Sequence, residues 1–166
     1  MIAPAFLIHL CAPWKELYDH SKLLEVGIPS IHVASLLLGG GIAVSADRST
    51  LRALKRPPAE RAVHLEELGT VHRTVLTGLG VSFITGIALL ASDLESFLGS
   101  WVFWTKMALV ALLLLNGLVM TSAERALRTD SHESHPAWTR LERVALVSFV
   151  LWFATTVAGV ALRELT

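Results

Sequence analysis

Four apolar stretches, each long enough to cross the hydrocarbon core of a bilayer, constrain this chain more than any other feature. A transmembrane helix needs about 20 mostly apolar residues. Stretches of that kind occupy residues 26–46, 69–92, 101–121 and 144–162. Charge is correspondingly scarce: 17% of the 166 residues are charged and 53% are hydrophobic, where soluble domains carry about 25% charge. The chain therefore reads as an integral membrane protein, with the lipid bilayer as its first partner. Its hydrophobicity excludes a disordered chain, and its single cysteine, Cys11, excludes a disulfide scaffold. A formal net charge of zero offers no global field for nucleic acid. The expected fold is all-α, an integral membrane four-helix bundle forming one domain over residues 1–166.

The segment before the first span is too short and too interrupted to cross, and it lacks the basic start of a signal peptide. Phe6, Leu7, Leu10, Trp14, Leu17 and Tyr18 recur at helical spacing. They predict an N-terminal interfacial helix over about residues 4–20, lying on the membrane or packed against the bundle. Pro57 and Pro58 punctuate the first connection, and helix is expected to restart between Ala59 and Leu68.

Orientation follows from the basic residues. Arg48, Arg52, Lys55, Arg56 and Arg61 lie between spans one and two, and Arg125, Arg128, Arg140 and Arg143 between spans three and four. The connection between spans two and three, Ser-Asp-Leu-Glu-Ser-Phe-Leu-Gly-Ser, has no basic residue. The positive-inside rule puts the basic loops in the cytoplasm of a bacterial inner membrane and both termini on the periplasmic side. Trp14, Trp101 and Trp104 fit the outer aromatic belt.

Small residues mark where helices can approach closely in lipid. Span one carries Gly39, Gly40 and Gly41, and span two carries Gly78, Gly80, Ser82 and Gly86. Packing is the leading expectation for them, ahead of a flat ligand lying on exposed backbone. Asn116, Thr77 and Thr85 are expected to hydrogen-bond between helices or back onto their own turns.

Ionisable groups at membrane depth are functional candidates because they are costly there. His32 lies six residues into span one and Lys106 five residues into span three, each about 8–9 Å below the outer boundary at about 1.5 Å per residue. Thr85 and Gly86 of span two fall at a similar level, with Thr155 and Thr156 of span four somewhat deeper. An imidazole, an ammonium and hydroxyls thus converge on one level near the outer leaflet. A neutral imidazole is a good axial ligand for haem iron, and a nearby lysine can pair with a carboxylate. The competing readings are a hydrogen bond from His32 to a neighbouring helix and snorkelling of Lys106 to the headgroups. A second group lies at the inner side: His64, His72, His132 and His135, with Met120 as a soft neighbour. His72 is its best metal-ligand candidate, because it enters a span; His9, His20 and Cys11 form a weaker outer group. No nucleotide-binding glycine loop, nucleophile motif, chain of membrane carboxylates or broken helix pair occurs, so no catalytic residue is assigned.

The order of these features carries a resemblance. A histidine precedes the glycines in Ile-His-Val-Ala-Ser-Leu-Leu-Leu-Gly-Gly-Gly, and an aspartate with basic residues follows in Ala-Asp-Arg-Ser-Thr-Leu-Arg. Span two holds Ile-Thr-Gly-Ile-Ala-Leu-Leu, and span three opens on Phe-Trp-Thr-Lys-Met-Ala. In these motifs the chain resembles small membrane proteins related to the copper-resistance D family, a group that includes the bacterial membrane protoporphyrinogen oxidase. The resemblance covers spans one to three. It implies a four-helix bundle and, for the oxidase-like members, haem b bound through His32 with Lys106 nearby. The expected function is therefore to bind haem b or a similar redox cofactor through His32, Lys106, Thr85 and Gly86, and to take part in membrane electron transfer. The rival expectations are a non-catalytic accessory subunit packed against other membrane subunits or a second copy, and copper handling through His32 and His72.

Overall fold

The computed structural model describes residues 5–129 and 135–165. These residues form six helices and, among them, no strand: α1 (Ala5–Asp19), α2 (Lys22–Ala53), α3 (Pro58–Ser92), α4 (Leu94–Gly99), α5 (Trp101–Thr129) and α6 (His135–Leu165). The fold is an all-α four-helix bundle, in which α2, α3, α5 and α6 are each long and apolar enough to span a membrane. It is an antiparallel pair of hairpins, α2 with α3 and α5 with α6, joined where α6 packs on α2. One end carries the basic connections and the other carries α1, α4 and the last turns of α6.

The local sequence explains where the helices break. After α2 the chain turns through Leu54–Arg56, and Pro58 opens α3, a first-turn position where a missing N–H costs nothing. Asp93 caps α4 by accepting a hydrogen bond from the Ser96 amide at 3.4 Å. Pro29 sits inside α2 and, lacking an N–H, leaves the Glu25 carbonyl without its helical partner. The Tyr18 hydroxyl of α1 donates to that carbonyl at 3.4 Å. Burial, followed by the charges of Glu25 and Asp19, pushes the Tyr18 phenol above its ordinary pKa, so it stays protonated and able to donate. The Trp14 indole donates to the Ala88 carbonyl of α3 at 2.9 Å. These two bonds fasten α1 across the ends of α2 and α3, while Phe6, Leu10 and Leu17 stay exposed.

The exterior and interior are inverted relative to a soluble protein. Leu38, Phe83, Ile84, Leu115, Leu118 and Val150 point outward, whereas Ser35, Asp47, Thr50, Ser82, Glu124, Ser148 and Thr155 are buried. The first set is suited to contact with lipid, and the second is enclosed by the bundle.

Three consecutive glycines on α2 have three different neighbours, because successive helical residues point about 100° apart. A Cβ on Gly39 would lie 3.4 Å from the Gly78 Cα of α3, and one on Gly40 only 2.8 Å from the Trp152 ring of α6. A Cβ on Gly41 would meet nothing within 4 Å. In the reverse direction, a Cβ on Gly78 would come 3.0 Å from the Gly39 Cα. Gly39 and Gly78 therefore set the spacing of the first hairpin, and Gly40 seats the second hairpin on it through Trp152. Gly39, Gly40 and Gly78 are packing surfaces, as the sequence leads one to expect, whereas a Cβ on Gly41 or Gly80 would have nothing within 4 Å. Asn116 ties α5 to α6 by donating to the Val144 carbonyl at 3.1 Å.

Large side chains pack at both ends, unequally. Leu65, Leu68, Met120, Ala123, Leu127, Trp138, Leu141 and Val144 form one core at the basic end. Val102, Phe103 and Leu162 form a smaller one at the opposite end. The helices outrun the spans read from the sequence: α2 has 32 residues and α3 has 35, about 48–53 Å at 1.5 Å per residue. The basic-end core lies largely in that extension, where Ala59 to Leu68 is helix as expected.

Candidate functional site

Two levels of the bundle collect buried polar groups. The first is the level of His32. Its Nδ1 lies 2.9 Å from the Ser82 carbonyl and 3.0 Å from the Thr85 hydroxyl. A carbonyl can only accept, so Nδ1 carries a proton; when the ring is neutral, its lone pair is therefore on Nε2. Thr85 donates its own proton along its helix to the Val81 carbonyl at 2.8 Å, leaving its oxygen to accept from His32. Gly86 stands against the ring: a Cβ there would lie 3.2 Å from His32 Cε1. Ser82, Thr85 and Gly86 thus fix one edge of the imidazole, by two acceptors and a missing side chain.

Lys106 reaches the same level from α5 and lies within electrostatic reach of the imidazole. Its ammonium rests beside Gly159 of α6, where a Cβ would be 3.8 Å from Nζ. Gly159 is six residues from the end of α6, about 9 Å at 1.5 Å per residue, so the ammonium lies against α6 within the bundle. Thr155, one turn deeper on α6, is 1% exposed and its hydroxyl has no hydrogen-bond partner. Of the residues expected at this level, the structure brings His32, Thr85, Gly86 and Lys106 together.

His72 is elsewhere. Its partners lie at the level of Asp47, which is fifteen residues along α2 from His32, about 22 Å away at 1.5 Å per residue. One ion cannot bridge the two histidines. Among the described residues no three His, Cys, Asp or Glu side chains converge in a way that would hold a bare metal ion. His132 lies outside the described residues, as does the side chain of His135.

The second level has one member from each spanning helix. Asp47 of α2 is 2% exposed and Glu124 of α5 is 5% exposed. Ser148 of α6 hydrogen-bonds the Asp47 carboxylate, and His72 and Glu124 act on Asp47 electrostatically. His72 of α3 places Nε2 3.7 Å from Glu124 Oε1 and Nδ1 2.8 Å from its own Leu68 carbonyl. Arg128, one turn beyond Glu124, donates to the Leu65 carbonyl and acts on Glu124. Asp47 Oδ2 and Glu124 Oε1 are buried without a hydrogen-bond partner.

Asp47 appears in the sequence only as part of the resembling motif and Glu124 is not singled out at all, because both lie just past the apolar windows. The signal that finds them is helical phase. Asp47 is seven residues, two turns, from Gly40, the glycine that faces α6; Glu124 is four residues from the buried Met120. Both carboxylates continue an inward stripe.

Comparison of the chain with protein-family models, with curated proteins and with solved structures finds no match. The reading of function therefore rests on the chemistry of these two levels.

Proposed function

We propose that this protein binds haem b or a closely similar redox cofactor through His32 and serves membrane electron transfer. The observation that carries the reading is the tautomer of His32: its Nδ1–H is held by Ser82 and Thr85, which orients the ring and leaves Nε2 as a ligand. That is the arrangement a single axial histidine requires, and the donor set suits a macrocycle-held iron better than a bare ion. Haem bound there would supply one-electron chemistry.

The chain's own residues have separable tasks. The Ser82 carbonyl raises the basicity of the imidazole by accepting its proton in a hydrogen bond. Gly86 lets the ring lie close to α3. Lys106 brings a positive charge to the same level, suited to a carboxylate of the cofactor and to stabilising an added electron. The resemblance to the copper-resistance D group favours the same pair, His32 and Lys106. The asymmetry of charge supports a bacterial inner membrane, with the basic end cytoplasmic and both termini periplasmic.

A second reading, an accessory subunit of a larger complex, is favoured by an apolar groove of about 590 Å³ on the lipid-facing side of α5 and α6. Trp101, Leu109, Phe149, Phe153 and Val157 are among its lining residues, a surface suited to a neighbouring helix. Copper handling is the third reading.

The absorption spectrum of the purified protein separates them. Haem gives a Soret band, retained in Glu142→Gln and lost in His32→Ala while the helical circular dichroism of the bundle is kept. A colourless protein that co-purifies in stoichiometric amount with other membrane subunits overturns the haem reading in favour of the second. Stoichiometric copper by elemental analysis overturns it in favour of the third. With haem present, Lys106→Gln lowers the midpoint potential, because a nearby positive charge stabilises the reduced state.

A further inference from the structure

The polar level at the basic end is a site in its own right, and its hydrogen bonds determine what it holds. The Leu68 carbonyl accepts from His72 at 2.8 Å, so His72 Nδ1 carries a proton. Its other nitrogen therefore faces Glu124 Oε1, at 3.7 Å, either as a bare lone pair or as a second N–H. A bare lone pair opposite an ionised carboxylate would set two acceptors against each other in a buried space. One further proton on this pair removes the conflict, whether it sits on His72 Nε2 or on Glu124.

Charge counting gives the same answer. Asp47 and Glu124 each bring a negative charge when ionised, and Arg128 brings one positive charge close to Glu124. Ser148 on α6 is neutral. With a neutral imidazole the group carries one uncompensated negative charge among residues that are 2% and 5% exposed, which the low-dielectric interior strongly disfavours. One bound proton brings the sum to zero. Asp47 Oδ2 and Glu124 Oε1, both buried and unpartnered, are acceptors left available to it. The 3.7 Å separation is too long for a hydrogen bond, so nothing locks the proton to one partner.

We propose that Asp47, His72 and Glu124 form a buried proton-binding site that exchanges one proton with the basic end of the bundle. Loading is a simple transfer: a hydronium ion gives its proton to His72 Nε2 or to a carboxylate oxygen and leaves as water, and no electron moves. The route lies along α2. A cavity of about 300 Å³ at the basic end is lined by Ser49, Arg52, Ala53, Arg56, Glu60 and His64, among others. His64 Nε2 lies 2.9 Å from the Thr50 hydroxyl. Thr50 is fully buried and stands one turn from Asp47 on the same helix, so hydroxyl and imidazole lead from the cavity toward the site.

The proposal is independent of any cofactor at His32 and is tested on the whole protein in lipid nanodiscs, with the proton itself as probe. Infrared spectroscopy reads protonated carboxyl groups, and nitrogen NMR of histidine-labelled protein reads the imidazolium. At neutral pH the wild type is expected to show one of the two signals: a buried carboxylic acid or a His72 imidazolium. Whichever appears is lost in the Asp47→Asn/Glu124→Gln double variant and unchanged in Glu142→Gln, an exposed carboxylate on α6. His64→Gln keeps the signal and slows its exchange with solvent several-fold. A wild type with both carboxyls ionised and His72 neutral at neutral pH overturns the proposal, and the wild-type spectra decide this even if the double variant fails to fold. A stoichiometric metal cation that is lost in the double variant overturns it as well, in favour of a cation site.

Discussion

The two ends of the bundle solve the burial of polar groups in opposite ways. Around His32 the surroundings are small residues, and the imidazole is held by short contacts, Nδ1 to Ser82 at 2.9 Å and to Thr85 at 3.0 Å, with Thr85 back to Val81 at 2.8 Å; the Thr155 hydroxyl, one turn deeper, is the unpartnered exception. At the level of Asp47 and Glu124 the surroundings are buried and mostly large side chains, and two carboxylate oxygens have no hydrogen-bond partner. Glycines and hydroxyls let helices come close enough to satisfy a polar group with backbone. Large aliphatic side chains give stability and leave the polar groups among them to be compensated by charge. A well-satisfied imidazole with one free lone pair is suited to holding something still. An under-satisfied acid cluster is suited to taking up and releasing a proton.

That contrast predicts a hierarchy of mutational effects. Leu141 is 0% exposed in the basic-end core, and Leu141→Ala is expected to cost about 2–5 kcal/mol, read as a large fall in the unfolding midpoint in mild detergent. Leu162→Ala, in the smaller opposite core, should cost clearly less, and an equal loss breaks the distinction between the ends. Gly40→Ala comes next, at about 1–3 kcal/mol, because its Cβ at 2.8 Å from the Trp152 ring forces the hairpins apart. Its control is Gly41→Ala, with open space around the new methyl, where the midpoint should hold or rise slightly. Comparable losses from the two would show that α6 does not seat on Gly40. The smallest expected effect is Asn116→Ala, about 0.6 kcal/mol, the average for an interhelical hydrogen bond in lipid. A much larger loss would mean that polar contacts, and not side-chain packing, hold α5 to α6.

The fold was legible in the sequence because the bilayer limits the options. Four apolar windows of the right length admit few structures, and the periodic residues from Phe6 to Tyr18 already specified α1. The His32 level was legible for a related reason: an imidazole and an ammonium inside apolar helices stand out, and counting residues from the span ends gives their depth. The tautomer of His32 was not legible, since it depends on which carbonyl α3 presents across the helix pair. The Asp47 and Glu124 site was hidden by a boundary effect. Hydropathy sets the edge of a span where charge begins, whereas the helices continue to Ala53 and Thr129. A carboxylate past the edge looks like a loop charge until its helical phase is followed inward. The three glycines showed that something packs closely, but not that Gly39, Gly40 and Gly41 meet three different surroundings.

The seating of Trp152 on Gly40 also bears on how the protein is made. The ribosome delivers α2 and α3 before α5 and α6, and the close approach of Gly39 to Gly78 involves only that first hairpin. The tryptophan that closes on Gly40, and the Ser148 hydroxyl that reaches Asp47, are both on the last helix to emerge. Until α6 arrives, the newborn hairpin sits in the bilayer with an open glycine notch and an aspartate lacking its hydroxyl partner. The second hairpin therefore docks on a surface that still bears polar groups.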